Sequence, residues 1–144
     1  MEWLGNNECC KQIYHTLRLY APDNEKILLD FNPVRMSSLY SPSWEDWHCY
    51  PAPLRIYRQD YEHLIVYFNK IFPLKDAFSG ETKSYLDICF DNWIEKNDWY
   101  ALIKEIQKDI PLFTDDEIRF YSKFTEWLNE ALDHTDVIVV EGNL

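Results

Sequence analysis

The sequence predicts an α+β fold: one compact domain over residues 1–144, with four to five helices packed on a small, mostly antiparallel sheet. Two adjoining stretches between residues 97 and 132 carry broad apolar stripes at helical spacing. Short apolar or alternating stretches bounded by turn residues recur outside them. The two kinds of element do not alternate regularly, which argues against a doubly wound sheet.

Taken in order, Asn6 or Asn7 is expected to cap a first helix to about Tyr20, with Cys10, Ile13, Tyr14, Leu17 and Tyr20 on one face. Pro22-Asp23-Asn24 supplies the turn after it. Residues 26–31 are short and apolar between turn residues, which suits a strand, with a helical turn as the alternative. Residues 32–53 form an irregular segment, because Pro33, Pro42, Pro51 and Pro53 interrupt regular elements and serines favour turns. That segment holds Tyr40, Trp44, Trp47 and Tyr50, so it either folds onto the core or serves for binding. Residues 54–58 alternate as a strand does. Asp60 is expected to cap a helix through Phe72, with Tyr61, Leu64, Ile65, Phe68, Ile71 and Phe72 on its apolar face and Pro73 stopping it. Ser79-Gly80-Glu81 is a turn. Residues 85–90 alternate, with Leu86, Ile88 and Phe90 on one side: a strand, or the start of a helix through Trp93 and Ile94.

The central helix pair spans residues 97–132. Trp99, Leu102, Ile103 and Ile106 fall on one face of the first helix, with Asn97 or Asp98 as its cap and Ile110-Pro111 closing it. Thr114 and Glu117 have the spacing of a capping box. The second helix carries Phe120, Phe124, Trp127, Leu128 and Ala131 as a stripe, widened by Ile118, Tyr121 and Leu132. A face that broad needs more than one partner surface. The continuous β-branched run Val137-Ile138-Val139-Val140 reads as a buried last strand.

Composition narrows the function. Apolar residues make up 47% and glycines number three, which argues against a disordered or loop-rich chain. Net charge is −11, and it is uneven: residues 1–80 hold 10 acids and 8 bases, residues 81–144 hold 15 and 6. An acidic half repels phosphate, so nucleic acid is not the expected partner, and a basic protein is. Solubility alone accounts for the same imbalance. The four cysteines have no framework spacing, MEWLGNNECC has neither basic nor apolar signal regions, and no run approaches a membrane span. The expectation is a cytoplasmic protein with reduced thiols and no membrane partner.

No catalytic signature emerges. Cys9, Cys10 and His15, or His48 and Cys49, lack metal-binding spacing, so the expected metal and cofactor content is none, with the cysteines serving as small core residues. Three scattered glycines cannot build a phosphate loop. A hydrolase using Cys89 or a carboxylate is the alternative to a non-enzymatic binder, and an adaptor subunit of a larger complex is a further one.

Two clusters suit recognition. Trp44, Glu45, Asp46 and Trp47 couple carboxylates to large aromatics in the irregular segment, and Asp91, Trp93, Glu95 and Asp98 repeat the mixture before the central helices. Acids beside tryptophans suit capture of lysine and arginine by ion pairs and cation–π contacts, and equally suit a solvated turn anchored by a buried tryptophan. The stretch SYLDICFDNWIEKNDWYALIKEIQKDI with the closing DVIVVEGNL resembles, in general character, the immunity proteins of bacterial toxin systems, including contact-dependent inhibition and nuclease bacteriocins. The resemblance is one of class and assigns no residue a role. It implies tight binding of one cognate toxin domain, often a basic nuclease.

Overall fold

The computed structural model describes residues 2–5, 7–41 and 46–144. Strands β1 (His15–Leu17), β2 (Leu28–Val34), β3 (Leu54–Tyr57), β6 (Asp91–Glu95) and β7 (Val137–Gly142) form a sheet in the order β1-β3-β2-β7-β6. A two-stranded ribbon, β4 (Leu74–Lys75) with β5 (Thr82–Lys83), stands beside it. Helices α1 (Arg58–Ile71), α2 (Lys96–Asp109) and α3 (Asp115–Leu132) cover one face. The class is α+β as expected, but among the described residues there are three α-helices rather than four to five. The sheet is also mixed, because β1 runs parallel to β3, so the expectation of a mostly antiparallel sheet gives way at that edge.

Period-two alternation explains why Val137-Ile138-Val139-Val140 is apolar throughout. Ile138 and Val140 point to the helices with Leu29, Phe31, Leu54, Ile56 and Ile94, while Val137 and Val139 point to the opposite face with Val34, Ala77 and Trp93. Both faces are covered, so no position in the run can be polar without penalty. Phe31 sits at the centre of the larger core, 5.6 Å from Phe124 and 6.1 Å from Trp99, ring centre to ring centre.

Local chemistry sets the central helices. Pro111 confines α2 to Asp109 and leaves a single 3-10 turn, Ile110–Leu112. The Thr114 side chain accepts the Glu117 N–H while Glu117 accepts the Thr114 N–H, so the expected capping box is present. Thr114→Ala is expected to cost about 1 kcal/mol, read as a small drop in urea midpoint; no change would remove the box as a stabilising feature. The predicted cores of α2 and α3 are buried, apart from Trp127, which is partly buried, and Ile118, which is exposed at the margin of its stripe.

Other expectations are corrected. Asn6 lies outside the described residues, and no helix follows: a 3-10 turn at Cys9–Lys11 gives way to β1. The free edge of β3 offers this stretch a ladder, and Gln12 Nε2 donates to the Tyr50 carbonyl (2.8 Å), so tertiary pairing outweighs the helical spacing. Neither Asn97 nor Asp98 caps α2, whose N-cap is Glu95, and Asp60 is the third residue of α1 rather than its cap. Residues 85–90 are a turn, neither strand nor helix. The irregular segment begins later than expected, since β2 runs through Pro33; β3 pairs only with the first half of β2, so the missing N–H of Pro33 faces an open side. Within its described residues the remainder of that segment folds down, with Tyr50 in the larger core and Trp47 against the smaller. Only Cys49 of the four cysteines is buried, so the core role expected for the others does not hold.

Candidate binding site

Across the sheet face opposite the helices, register aligns a row of charges. Arg55 of β3 lies opposite Asp30 of β2, Asp30 opposite Glu141 of β7, and Glu141 opposite Asp91 of β6. Directly opposed like charges on adjacent strands are unfavourable. Arg55 relieves one end by gripping both Asp30 oxygens at 2.7 and 2.9 Å. His48 lies 2.6 Å from Glu141. Among the described residues no cation forms an ion pair with Asp91, which is exposed and accepts the Trp93 indole N–H at 2.6 Å. The row therefore ends in uncompensated negative charge.

Immediately before Asp91, residues 85–90 make a tightly tied turn. The buried Asn92 holds it from below: its Oδ1 accepts the Asp87 N–H at 2.8 Å, and its Nδ2 donates to the Asp87, Phe90 and Val140 carbonyls. Asp87 Oδ1 accepts the Cys89 N–H, an Asx turn, and Gly142 donates its N–H to the Phe90 carbonyl. Leu86 is buried in the larger core as an anchor. This fixed turn displays Tyr85 at 67% and Phe90 at 68% exposure. Two grooves flank it. One of about 390 Å³ is lined by Asp76, Asp87, Phe90 and Asp91 among others; one of about 480 Å³ lies between the turn and α1, at Arg58, Tyr61 and Ile65.

The two stretches expected to bind a partner meet, but through the partly buried Trp47 and the buried Trp93. Trp93 is 3% exposed, stacked on Phe78 at 4.8 Å and tilted against Trp47 at 5.0 Å. Trp44 and Glu45 lie outside the described residues. Asp46 pairs with Arg35 in both backbone and side chain. Glu95 accepts the Tyr40 hydroxyl, a bond that, with burial, pushes the Tyr40 pKa up to about 12. Asp98 is half-buried, and burial, with Glu95 nearby, raises its pKa. Of the expected residues that are described, Asp91 alone is both exposed and beside exposed aromatics. Sequence reasoning missed Tyr85 and Phe90 because alternation grouped Phe90 with Leu86 and Ile88 on one side of a strand or helix start. The turn chemistry of Asp87, two residues before Cys89, was the available signal.

Among the described residues no helix is long and apolar enough to cross a membrane. Comparison of the chain with protein-family models, curated proteins and solved structures finds no match in any of the three.

Proposed function

We propose that this chain is a non-enzymatic binding protein that takes a basic protein domain on its acidic side, as an immunity protein takes its cognate toxin. The observation that supports the reading is the fixed turn at residues 85–90, which holds two exposed aromatics beside Asp91 and the acidic row. Binding energy concentrates in aromatic anchors, and a backbone already tied in place reduces the ordering that association costs. Carboxylates around them steer a basic domain and slow its escape into competing phosphate contacts. A toxin that needs a basic surface for nucleic acid would lose it to this face.

The test begins with the full chain as bait in lysate from its own organism, at low and at high salt. The expected result is one basic protein, released by salt, whose toxicity this chain suppresses. Tyr85→Ala with Phe90→Ala should then weaken the purified complex at least ~30-fold while leaving folding stability within about 0.5 kcal/mol. Asp91→Lys should slow association and flatten its salt dependence. Full-strength binding by the double alanine variant would remove this turn as the anchor; a partner that is acidic would overturn the reading itself.

A further inference from the structure

The two edges of the sheet are unlike. The outer side of β6 is occupied: the Ala77 N–H donates to the Trp93 carbonyl at 2.9 Å, and Asp76 accepts the Trp93 N–H at 3.4 Å. At the other edge β1 has a neighbour on one side only. Ile13 and His15 donate their N–H groups toward β3, to the Pro51 and Pro53 carbonyls at 2.9 and 2.8 Å. Because successive backbone groups point to opposite sides, Tyr14 and Thr16 turn theirs outward. Natural edges are guarded by short length, proline, lysine, inward charge or a covering element, and of these β1 has its short length of three residues. The run Ile13-Tyr14-His15-Thr16-Leu17 has no proline or lysine and is rich in strand formers, and Ile13 is 76% exposed.

A trough follows this edge. Two adjoining grooves of about 340 and 310 Å³ share Leu17 and Lys123 and separate β1 from α3. The first is walled by Arg18, Arg119, Lys123 and Asp116, the second by His15, Glu126 and Glu130. Arg119 is paired with Asp116. Neither Arg18 nor Lys123 forms an ion pair among the described residues, although the chain carries a net −11. Arg18 is held over the Tyr57 ring at 4.3 Å and donates to the Pro22 carbonyl at 3.1 Å, so its charge is positioned rather than neutralised. The trough is positive where β1 ends and negative where it begins.

We propose that the outer edge of β1 takes an extended segment of a partner protein as an added strand, the acidic end of that segment lying at Arg18 and Lys123. Outward N–H and C=O groups at Tyr14 and Thr16 supply the ladder, Ile13 supplies an apolar contact, and the polarity of the trough sets direction. A free polyanion fits worse, because Glu126 and Glu130 line the same trough. This surface is separate from the turn at residues 85–90 and does not depend on the function proposed for it.

The test uses the full chain, immobilised, and a random twelve-residue peptide library. Enriched peptides should alternate β-branched or aromatic residues and carry Asp or Glu at one end only. A synthesised winner should shift the amide resonances of Tyr14 and Thr16, and lose binding when its own alternate amides are N-methylated. Arg18→Glu with Lys123→Glu, both at exposed positions, should weaken it at least ~10-fold with the fold retained and only a small drop in melting temperature from the lost Arg18 contacts. No enrichment, resonance shifts elsewhere, or full binding by the charge-reversed variant would overturn the proposal. So would inorganic phosphate shifting the same resonances when no peptide does.

Discussion

Asp60→Ala is expected to lower folding stability by about 4 kcal/mol. Asp60 is fully buried, and its two oxygens accept three backbone N–H groups: Leu19 at 2.8 Å, Tyr20 at 2.6 Å and Ala21 at 3.2 Å. Those donors belong to the chain as it leaves β1, so one side chain on α1 ends the edge strand and fastens it to the helix layer. Hydrogen bonds to a charged acceptor are worth about 1.5–3 kcal/mol each, and a donor left buried without a partner adds its own desolvation cost. Water entering the vacated space offsets part of the sum. The first turn of α1 also favours a negative charge through the helix dipole. Asp60→Asn keeps the shape and one acceptor oxygen, and should lose about half as much. Urea denaturation of both variants checks the order; a loss below ~1 kcal/mol for the alanine variant would mean that the clamp does not hold β1.

Gly142→Val should cost about 3 kcal/mol and loosen the candidate binding turn as well. A side-chain carbon at Gly142 would stand 1.8 Å from the Ile88 carbonyl oxygen and 2.4 Å from its carbon, distances no packing tolerates. The obstacle is backbone, so it cannot step aside by changing rotamer. Either β7 frays at its end or the turn at residues 85–90 lifts away, taking with it the Gly142 bond to Phe90 and the bonds from Asn92. Partner binding is expected to fall along with stability, whereas Tyr85→Ala with Phe90→Ala should lower binding alone. An unchanged urea midpoint and unchanged affinity would show that the close approach does not fix the turn.

The difference between what was legible and what was not follows the range of the forces involved. Helices α2 and α3 were legible because their signals are local: Pro111 stops α2, the Thr114–Glu117 box starts α3, and both carry apolar side chains every third or fourth position. The last strand was legible because an uninterrupted β-branched run has few other places to go. The N-terminal stretch had helical spacing too, but no local signal told that β3 would offer its edge, or that Asp60, some 40 residues on, would take the three N–H groups at its end. The candidate site divides in the same way. The acid-and-aromatic composition around Asp91 was plain in the sequence, yet which aromatics face outward depended on covering elements drawn from elsewhere: Trp47 and Phe78 enclose Trp93, while Gly142 and Asn92 hold Phe90 in solvent.

By itself, then, the sequence determined an α+β chain, its two central helices, its closing strand and its excess of negative charge, all properties of residue type and short-range spacing. The tertiary structure alone decided the parallel edge strand, the buried place of Trp93 and the exposure of Tyr85 and Phe90. Those depend on contacts between residues far apart in the chain, whose energies outweigh the local preferences.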